Sequence, residues 1–262
     1  MGKRLILKSP EEIELIRESC DILSRTLGEL AKLIKPGIKT IELDKLAYTF
    51  IHDHNAEPAF LNYQGFPYSL CISPNDQVVH GFPGDYELQE GDIVSVDGGV
   101  KYKGYISDSA YTFAVGKVSD EVQSLLDVTQ KALKLGIEQA LIGRRVGDIA
   151  YAVQHAVEPM GYGIVKELVG HGVGVELHEK PDVPNYGRRG VGTKLDRGMV
   201  IAIEPMVNLG DERVRFWDDG WTVSTLDGKP SAHFEHTVAV EKGEAKQLTT
   251  FSYIEEVLNK KD

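Results

Sequence analysis

Apolar residues recur at helical spacing along Ile13, Ile16, Cys20, Leu23, Leu27, Leu30 and Ile34, which predicts one amphipathic helix. Its start is written in Ser9-Pro10-Glu11-Glu12: a serine cap, a proline at the first helical position, and a glutamate placed to close a capping box. Pro36-Gly37 stops it. A second helix is expected from a cap at Thr40 to about His54. From Ala59 to Pro83 the periodicity fades and Gly, Pro, Asn and aromatics crowd in, so this stretch reads as an ordered loop with short strands, of the kind that carries function. Strands are predicted at about 92–97, 100–106 and 109–115, the first apolar on both faces and therefore interior. The plan then repeats. Ser119 caps a helix to about Leu141, Val146, Ile149, Ala150, Val153 and Val157 stripe another, and strands follow around 162–169, 199–207 and 234–241. Helices first and strands later in both halves predict an α+β architecture, with helices on one side of a curved, mostly antiparallel sheet, rather than a βαβ nucleotide fold.

The second half also repeats words of the first. Leu88-Gln89-Glu90-Gly91-Asp92-Ile93-Val94-Ser95-Val96-Asp97 is echoed by Leu195-Asp196-Arg197-Gly198-Met199-Val200-Ile201-Ala202-Ile203-Glu204, each copy ending an apolar strand in an acid. A further acid follows each copy in a β-rich stretch, Asp108 and Glu235. No linker or low-complexity segment separates the halves, so residues 1–262 are expected to form one domain with an internal duplication, about 1–117 and 118–262. Pseudo-symmetric halves would bring four carboxylates to one centre. Anions so crowded raise the cost of ionising one another unless cations sit among them.

Composition narrows the cation's surroundings. With 29 basic against 40 acidic residues the net charge is -11, which argues against a broad nucleic-acid surface and suits a cation site. Cys20 and Cys71 are the two cysteines, too few for a disulfide framework or a cysteine-built zinc site, so a metal would be held by oxygen and nitrogen. No apolar run approaches the roughly 18 residues of a membrane span, and Met1 to Pro10 is too short and interrupted for a secretory signal, so a cytoplasmic location is expected. Met1-Gly2 lacks the Ser or Thr that myristoylation wants at position six, where Ile6 stands.

One histidine from Gly170-His171-Gly172-Val173-Gly174-Val175-Glu176-Leu177-His178 could complete such a site, the small residues letting the backbone approach a ligand. Singly, a loop histidine or strand aspartate is ordinary. The matched set is what points to a ligand, because an unpaired acid at the interior end of an apolar strand costs several kcal/mol or more. Oxygen-rich ligation with one histidine suits Mn, Fe, Co or Zn in a two-metal hydrolytic site. Competing motifs fail: His178-Glu179-Lys180-Pro181-Asp182 lacks the second histidine of a helical zinc protease, the glycine-rich runs lack the Lys-Ser/Thr of a phosphate loop, and no Gly-x-Ser-x-Gly elbow occurs.

Ser-Val-Asp-Gly-Gly at 95–99, Ser-Asp at 107–108, Gly-His-Gly-Val-Gly at 170–174, Ile-Glu-Pro-Met at 203–206 and Glu-His-Thr at 235–237 give the chain a close resemblance to type I methionine aminopeptidases, from the first helix to about Thr250. The resemblance implies the pita-bread fold and removal of the initiator methionine from nascent proteins when the second residue is small. It implies that Asp97 chelates one divalent metal, that His171 and Glu204 bind the other, and that Asp108 and Glu235 bridge the two, with attack by a metal-bridging hydroxide. Glu204 would shuttle the proton, His178 would stabilise the oxyanion, and His80 would contact the scissile amide nitrogen. The methionine pocket would use Tyr63, Phe66, Cys71 and Trp221, with Phe60 and Leu177 nearby, since a thioether gains from aromatic contact. Relatives also suggest a structural monovalent cation, Na or K, on backbone carbonyls near Asn75, Gln77 and Ser231, a monomeric state, and docking at the ribosome, with no nucleic acid or membrane bound directly.

His233 stands where glutamine is usual in that family, Leu177 where phenylalanine is common, and Phe60 where a smaller residue occurs. None of the three is expected to be a metal ligand, so they bear on pocket shape rather than reaction class. The competing readings are an Xaa-Pro aminopeptidase or prolidase, whose extra N-terminal domain is not apparent here, a non-catalytic pita-bread binding module, which would have lost ligands, and a purely structural acidic cluster.

Overall fold

The computed structural model describes residues 5–260, so the Met1-Gly2 pair and the first four residues of the signal-peptide reading lie outside the described residues. Helix α1 (Pro10–Leu33) starts as the sequence predicts: Glu12 donates its backbone N–H to the Ser9 hydroxyl at 3.3 Å, and its carboxylate accepts the Ser9 N–H at 2.7 Å. All seven residues of its predicted stripe are buried, each large aliphatic one contributing roughly 1.5–3 kcal/mol. Helix α2 (Thr40–Asp53) begins one residue earlier than expected. Thr40 is its first helical residue rather than its cap, because the hydroxyl is engaged with the Gly84 backbone at 2.9 and 3.1 Å.

Short strands β1 (Glu57–Pro58), β2 (Leu70–Pro74) and β3 (Gln77–Val79) punctuate the aromatic loop. The three strands expected next are two, β4 (Ile93–Tyr102) and β5 (Tyr105–Ala114), in register from Ile93 opposite Ala114 to Tyr102 opposite Tyr105. Lys103 and Gly104, at φ +48° and +85°, make the two-residue hairpin turn that matches strand twist. Gly98 and Gly99 do not end a strand. They mark close packing, since a Cβ at Gly98 would lie 2.6 Å from Leu70 and one at Gly99 2.9 Å from Phe60.

Helix α3 (Asp120–Ile137) has the predicted Ser119 cap but ends about four residues early, in turns from Gln139 to Gly136 and from Ala140 to Ile137. Helix α4 (Val146–Val157) buries its whole predicted stripe. The strand expected at 162–169 shrinks to β6 (Gly163–Ile164), followed by β7 (Gly170–Gly172) and β8 (Glu179–Val183). The strand expected at 199–207 is broken at Glu204-Pro205 into β9 (Val200–Ile203) and β10 (Met206–Asn208), proline having no N–H for a ladder. Strands β11 (Val214–Phe216), β12 (Val223–Thr225) and β13 (Ser231–His233) follow, then β14 (His236–Ala239), the core of the strand expected at 234–241, β15 (Lys246–Gln247) and helix α5 (Ser252–Leu258).

Every pairing between these strands is antiparallel, in four sheets: β1-β4-β2 with β5 on β4, β13-β10-β6, β11-β12-β3, and β15-β14-β9-β7-β8. Helix α1 lies on the long hairpin, where Ser19 donates to the Val100 carbonyl at 2.7 Å. The two halves of the chain meet between β5 and β14. Glu235 donates its N–H to the Ala110 carbonyl at 2.9 Å, and Thr237 donates its hydroxyl to the Asp108 carbonyl at 2.7 Å. Those bonds place Asp108 and Glu235 side by side. No helix among the described residues is long and apolar enough to cross a membrane.

Candidate active site

Asp97 sits in the middle of β4, opposite Cys71 on one neighbour and Ala110 on the other, and Asp108 lies on β5 opposite Gly99. His171 is the centre of β7, Glu204 follows β9 immediately, and Glu235 stands between β13 and β14. All five line one cavity of about 140 Å³, close to the roughly 150 Å³ that takes a benzene-sized guest. The glycines flanking His171 serve strand packing rather than approach to a ligand: a Cβ at Gly170 would lie 2.4 Å from the Ala202 carbonyl, and one at Gly172 2.5 Å from the Lys180 carbonyl.

The His171 Nε2 atom lies 3.5 Å from Glu204 Oε1 and 3.6 Å from Asp108 Oδ2. Ligand-capable atoms of Asp108, His171 and Glu235 fall within 4.8 Å of one another. His171 Nδ1 contacts the Gly172 carbonyl at 3.0 Å, which favours the tautomer that leaves Nε2 facing the acids. Buried oxygens of Asp97, Asp108 and Glu235 have no hydrogen-bond partner. Burial pushes the Asp97 carboxyl up to about 8. It raises Asp108, Glu204 and Glu235 well above the carboxylate range too, and the negative charge of their neighbours adds to that in each case. No lysine or arginine is within ion-pair distance of these four acids among the described residues. Orphaned oxygens, mutual repulsion and one correctly presented imidazole fit divalent cations in place of the absent basic side chains.

The opposite wall is apolar. Phe60, Phe66, Cys71 and Leu177 belong to one buried cluster against which Tyr63 and Trp221 pack, and the Phe66 and Trp221 rings meet edge to face at 5.0 Å. His178 is exposed at the cavity's rim, its ring 4.2 Å from that of His171 and its Nδ1 2.8 Å from the Tyr63 hydroxyl. His80 follows β3 in the left-handed region at φ +59°, its ring 6.1 Å from Trp221 and nearly perpendicular to it. Such backbone costs about 1–3 kcal/mol and is typical of functional positions. Burial lowers the His80 imidazole to about 4, so the ring is neutral at pH 7.

Every residue singled out from the sequence for catalysis, divalent-metal binding or the methionine pocket therefore lines the same cavity, whereas Asn75, Gln77 and Ser231, the expected monovalent-cation neighbourhood, lie outside it. Sequence reasoning missed Val79, Leu168, Val169 and Met206 in its lining. Met206 was within reach, as it stands two residues beyond Glu204. It also gave His233 a bearing on pocket shape alone, whereas its Nε2 lies 3.7 Å from Glu204 Oε2 and 4.0 Å from Glu235 Oε2.

Residues 14–242 match the pattern of Metallopeptidase family M24. The chain is 52% identical over 236 residues to a methionine aminopeptidase of Clostridium perfringens, covering 90% of this chain and 95% of the relative. A crystal structure of methionine aminopeptidase from Thermotoga maritima superposes with a TM-score of 0.92 at 41% identity, covering 94% of this chain and 100% of that one. Prolidase from Pyrococcus furiosus superposes less closely, with a TM-score of 0.77 at 27% identity, and this chain covers 65% of its length. The fold is thus the expected α+β pita bread, and the chain belongs to metallopeptidase family M24, among its methionine aminopeptidases.

Proposed function

We propose that this enzyme removes the N-terminal methionine of new proteins whose second residue is small, with Asp97, Asp108, His171, Glu204 and Glu235 holding two divalent cations. The observation that supports it is a single cavity with a wall of unpartnered carboxylates facing a wall of aromatic and apolar side chains. Such a pair of cations, when bound, supplies a water acidic enough to attack near neutral pH and polarises the scissile carbonyl.

The chain's own residues perform the rest. Phe60, Tyr63, Phe66, Cys71, Leu177 and Trp221 enclose the methionine side chain, and the aromatic rings favour its sulfur. That fit sets the substrate's free amine against the carboxylate wall and the scissile bond near His178 and His80. Glu204 takes a proton from the attacking water and returns it to the leaving amine. The Tyr63 hydroxyl holds His178 through Nδ1, leaving Nε2–H to donate to the oxygen that gains charge in the tetrahedral intermediate. His80, fixed beside Trp221, meets the scissile nitrogen. A bulky second residue would collide with the rim.

Asp97 would hold one cation and His171 and Glu204 the other, with Asp108 and Glu235 contributing to both. Co, Mn, Fe and Zn all suit this donor set. By family resemblance a monovalent cation, Na or K, would sit on backbone carbonyls near Asn75, Gln77 and Ser231, where the Asn75 carbonyl also accepts the Ser231 N–H at 2.9 Å.

The test is release of methionine from Met-Ala-Ser by chelator-stripped protein, with and without each added divalent metal, against Met-Leu-Ser, Leu-Ala-Ser and Ala-Pro-Ser. Metal-dependent cleavage of Met-Ala-Ser alone is the expected result. Cleavage of Ala-Pro-Ser would move the chain to the proline-directed relatives, and no cleavage with any metal would point to a binding module.

A further inference from the structure

His233 is the least explained side chain at the site. It is 1% exposed, and neither ring nitrogen has a hydrogen-bond partner. Its backbone is fixed on both sides: the N–H donates to the Thr112 hydroxyl at 2.8 Å, the Thr112 hydroxyl donates back to its carbonyl at 2.7 Å, and β13 pairs it with Met206 across from Glu204. A buried imidazole with two unmet nitrogens costs free energy comparable to lost hydrogen bonds, and hydrophobic or amide side chains would avoid or answer that cost.

The spacing suggests what answers it. Two donor atoms each about 2.0–2.2 Å from one cation, at near-tetrahedral angles, lie roughly 3.3–3.6 Å apart. The His171 Nε2 atom stands at 3.5 and 3.6 Å from its two carboxylates, and His233 Nε2 at 3.7 Å from Glu204 Oε2. That separation is too long for a hydrogen bond and close to that of two ligands sharing an ion. The 4.0 Å to Glu235 Oε2 is a poorer match. The two oxygens of Glu204 are thus flanked by one histidine each, His171 at Oε1 and His233 at Oε2.

We infer that His233 is an additional nitrogen donor to the cation held by Glu204, through Nε2, so that this chain offers that cation two imidazoles rather than one. The inference rests on the metal-centre reading above. A second imidazole in place of a neutral oxygen tilts the site toward Co, Fe or Zn and away from Mn, which prefers carboxylate, carbonyl and water oxygen.

The experiment is proton NMR of the Co(II)-loaded enzyme, counting strongly shifted exchangeable imidazole resonances, together with calorimetric affinities for Co(II) and Mn(II). Wild type is expected to show two such resonances, from His171 and His233, and His233→Gln one. His233→Gln and His233→Ala are expected to bind Co(II) at least about tenfold more weakly, with a smaller loss for Mn(II). One resonance in wild type, assigned by its disappearance in His171→Ala, would overturn the inference while leaving the metal centre intact. A drop in affinity with the wild-type count already at one would make His233 an orienting neighbour only. Absence of Co(II) binding altogether would overturn the metal-centre reading and this inference with it, and the wild-type count needs no variant to fold.

Discussion

Two sets of buried acids in this fold are treated oppositely. Glu179, the residue after His178, is paired with Lys8 in an ion pair whose side chains are 1% and 0% exposed, and its other oxygen accepts the N–H groups of Val175 at 2.7 Å and Glu176 at 3.0 Å. Asp44 likewise accepts the N–H groups of Ser69 and Leu70, each at 2.9 Å. Asp97, Asp108 and Glu235 keep buried oxygens with no partner at all. Where an acid serves the fold, the chain supplies its donors. Where the acids cluster in the cavity those donors are withheld, and anions crowded in this way favour a bound cation.

The largest effect is expected where the second set is altered without loss of volume. Glu204→Gln should fold normally and lower kcat by roughly 10²–10⁴-fold, as measured on Met-Ala-Ser with metal bound. Wild-type turnover in that variant would remove Glu204 from the chemistry. Next, Lys8→Met should leave Glu179 a buried charge held only by two backbone N–H groups, costing about 3–5 kcal/mol in denaturant unfolding. Pairing it with Glu179→Gln should recover most of the loss, and a double variant no better than the single one would show that Lys8 acts through packing. His178→Ala should cost about 2.7–4 kcal/mol of transition-state stabilisation, seen in kcat more than in KM. An effect on KM alone would make His178 a binding residue.

The same contrast explains what was legible beforehand. The helices were readable because α1 and α4 carry their whole buried stripe in the sequence and Ser9 and Ser119 announce their caps. The matched acids were readable because each ends an apolar run, where burial without a partner is too costly to be accidental. Strand ends were not. The Lys103-Gly104 turn lies inside a run of β-formers, and Gly98-Gly99 imitates a break that is really tight packing against Leu70 and Phe60. Strands β11 to β13 carry too few residues for alternation to show, and β8 alternates in burial but turns Glu179 and Pro181 inward beside Val183, which hides it from an apolar pattern. The Lys8–Glu179 pair joins residues 171 apart, and the nearness of His233 to Glu204 depends on the β10–β13 pairing. Local pattern contains neither.

The smallest expected effect is also the most direct probe of the withheld donors. Burial raises the Asp97 pKa from 3.8 in the unfolded chain to about 8 in the stripped fold. A raised folded pKa means that the native state binds a proton the unfolded state has released. The associated stability is fully present below about pH 4 and is lost as pH rises through about 8. Loading with a divalent cation replaces that proton and removes the penalty. The stability gap between loaded and stripped protein should therefore widen with pH, by up to roughly 1.4 kcal/mol per unit for this one group between about pH 6.5 and 7.5. Paired thermal melts at fixed metal concentration measure the gap, and calorimetry in buffers of different ionisation enthalpy counts the protons released on loading. A gap that stays flat, with no protons released, would mean that the cluster is already ionised and answered by protein donors, as Asp44 is by two backbone N–H groups, and the distinction between the two sets of acids would collapse.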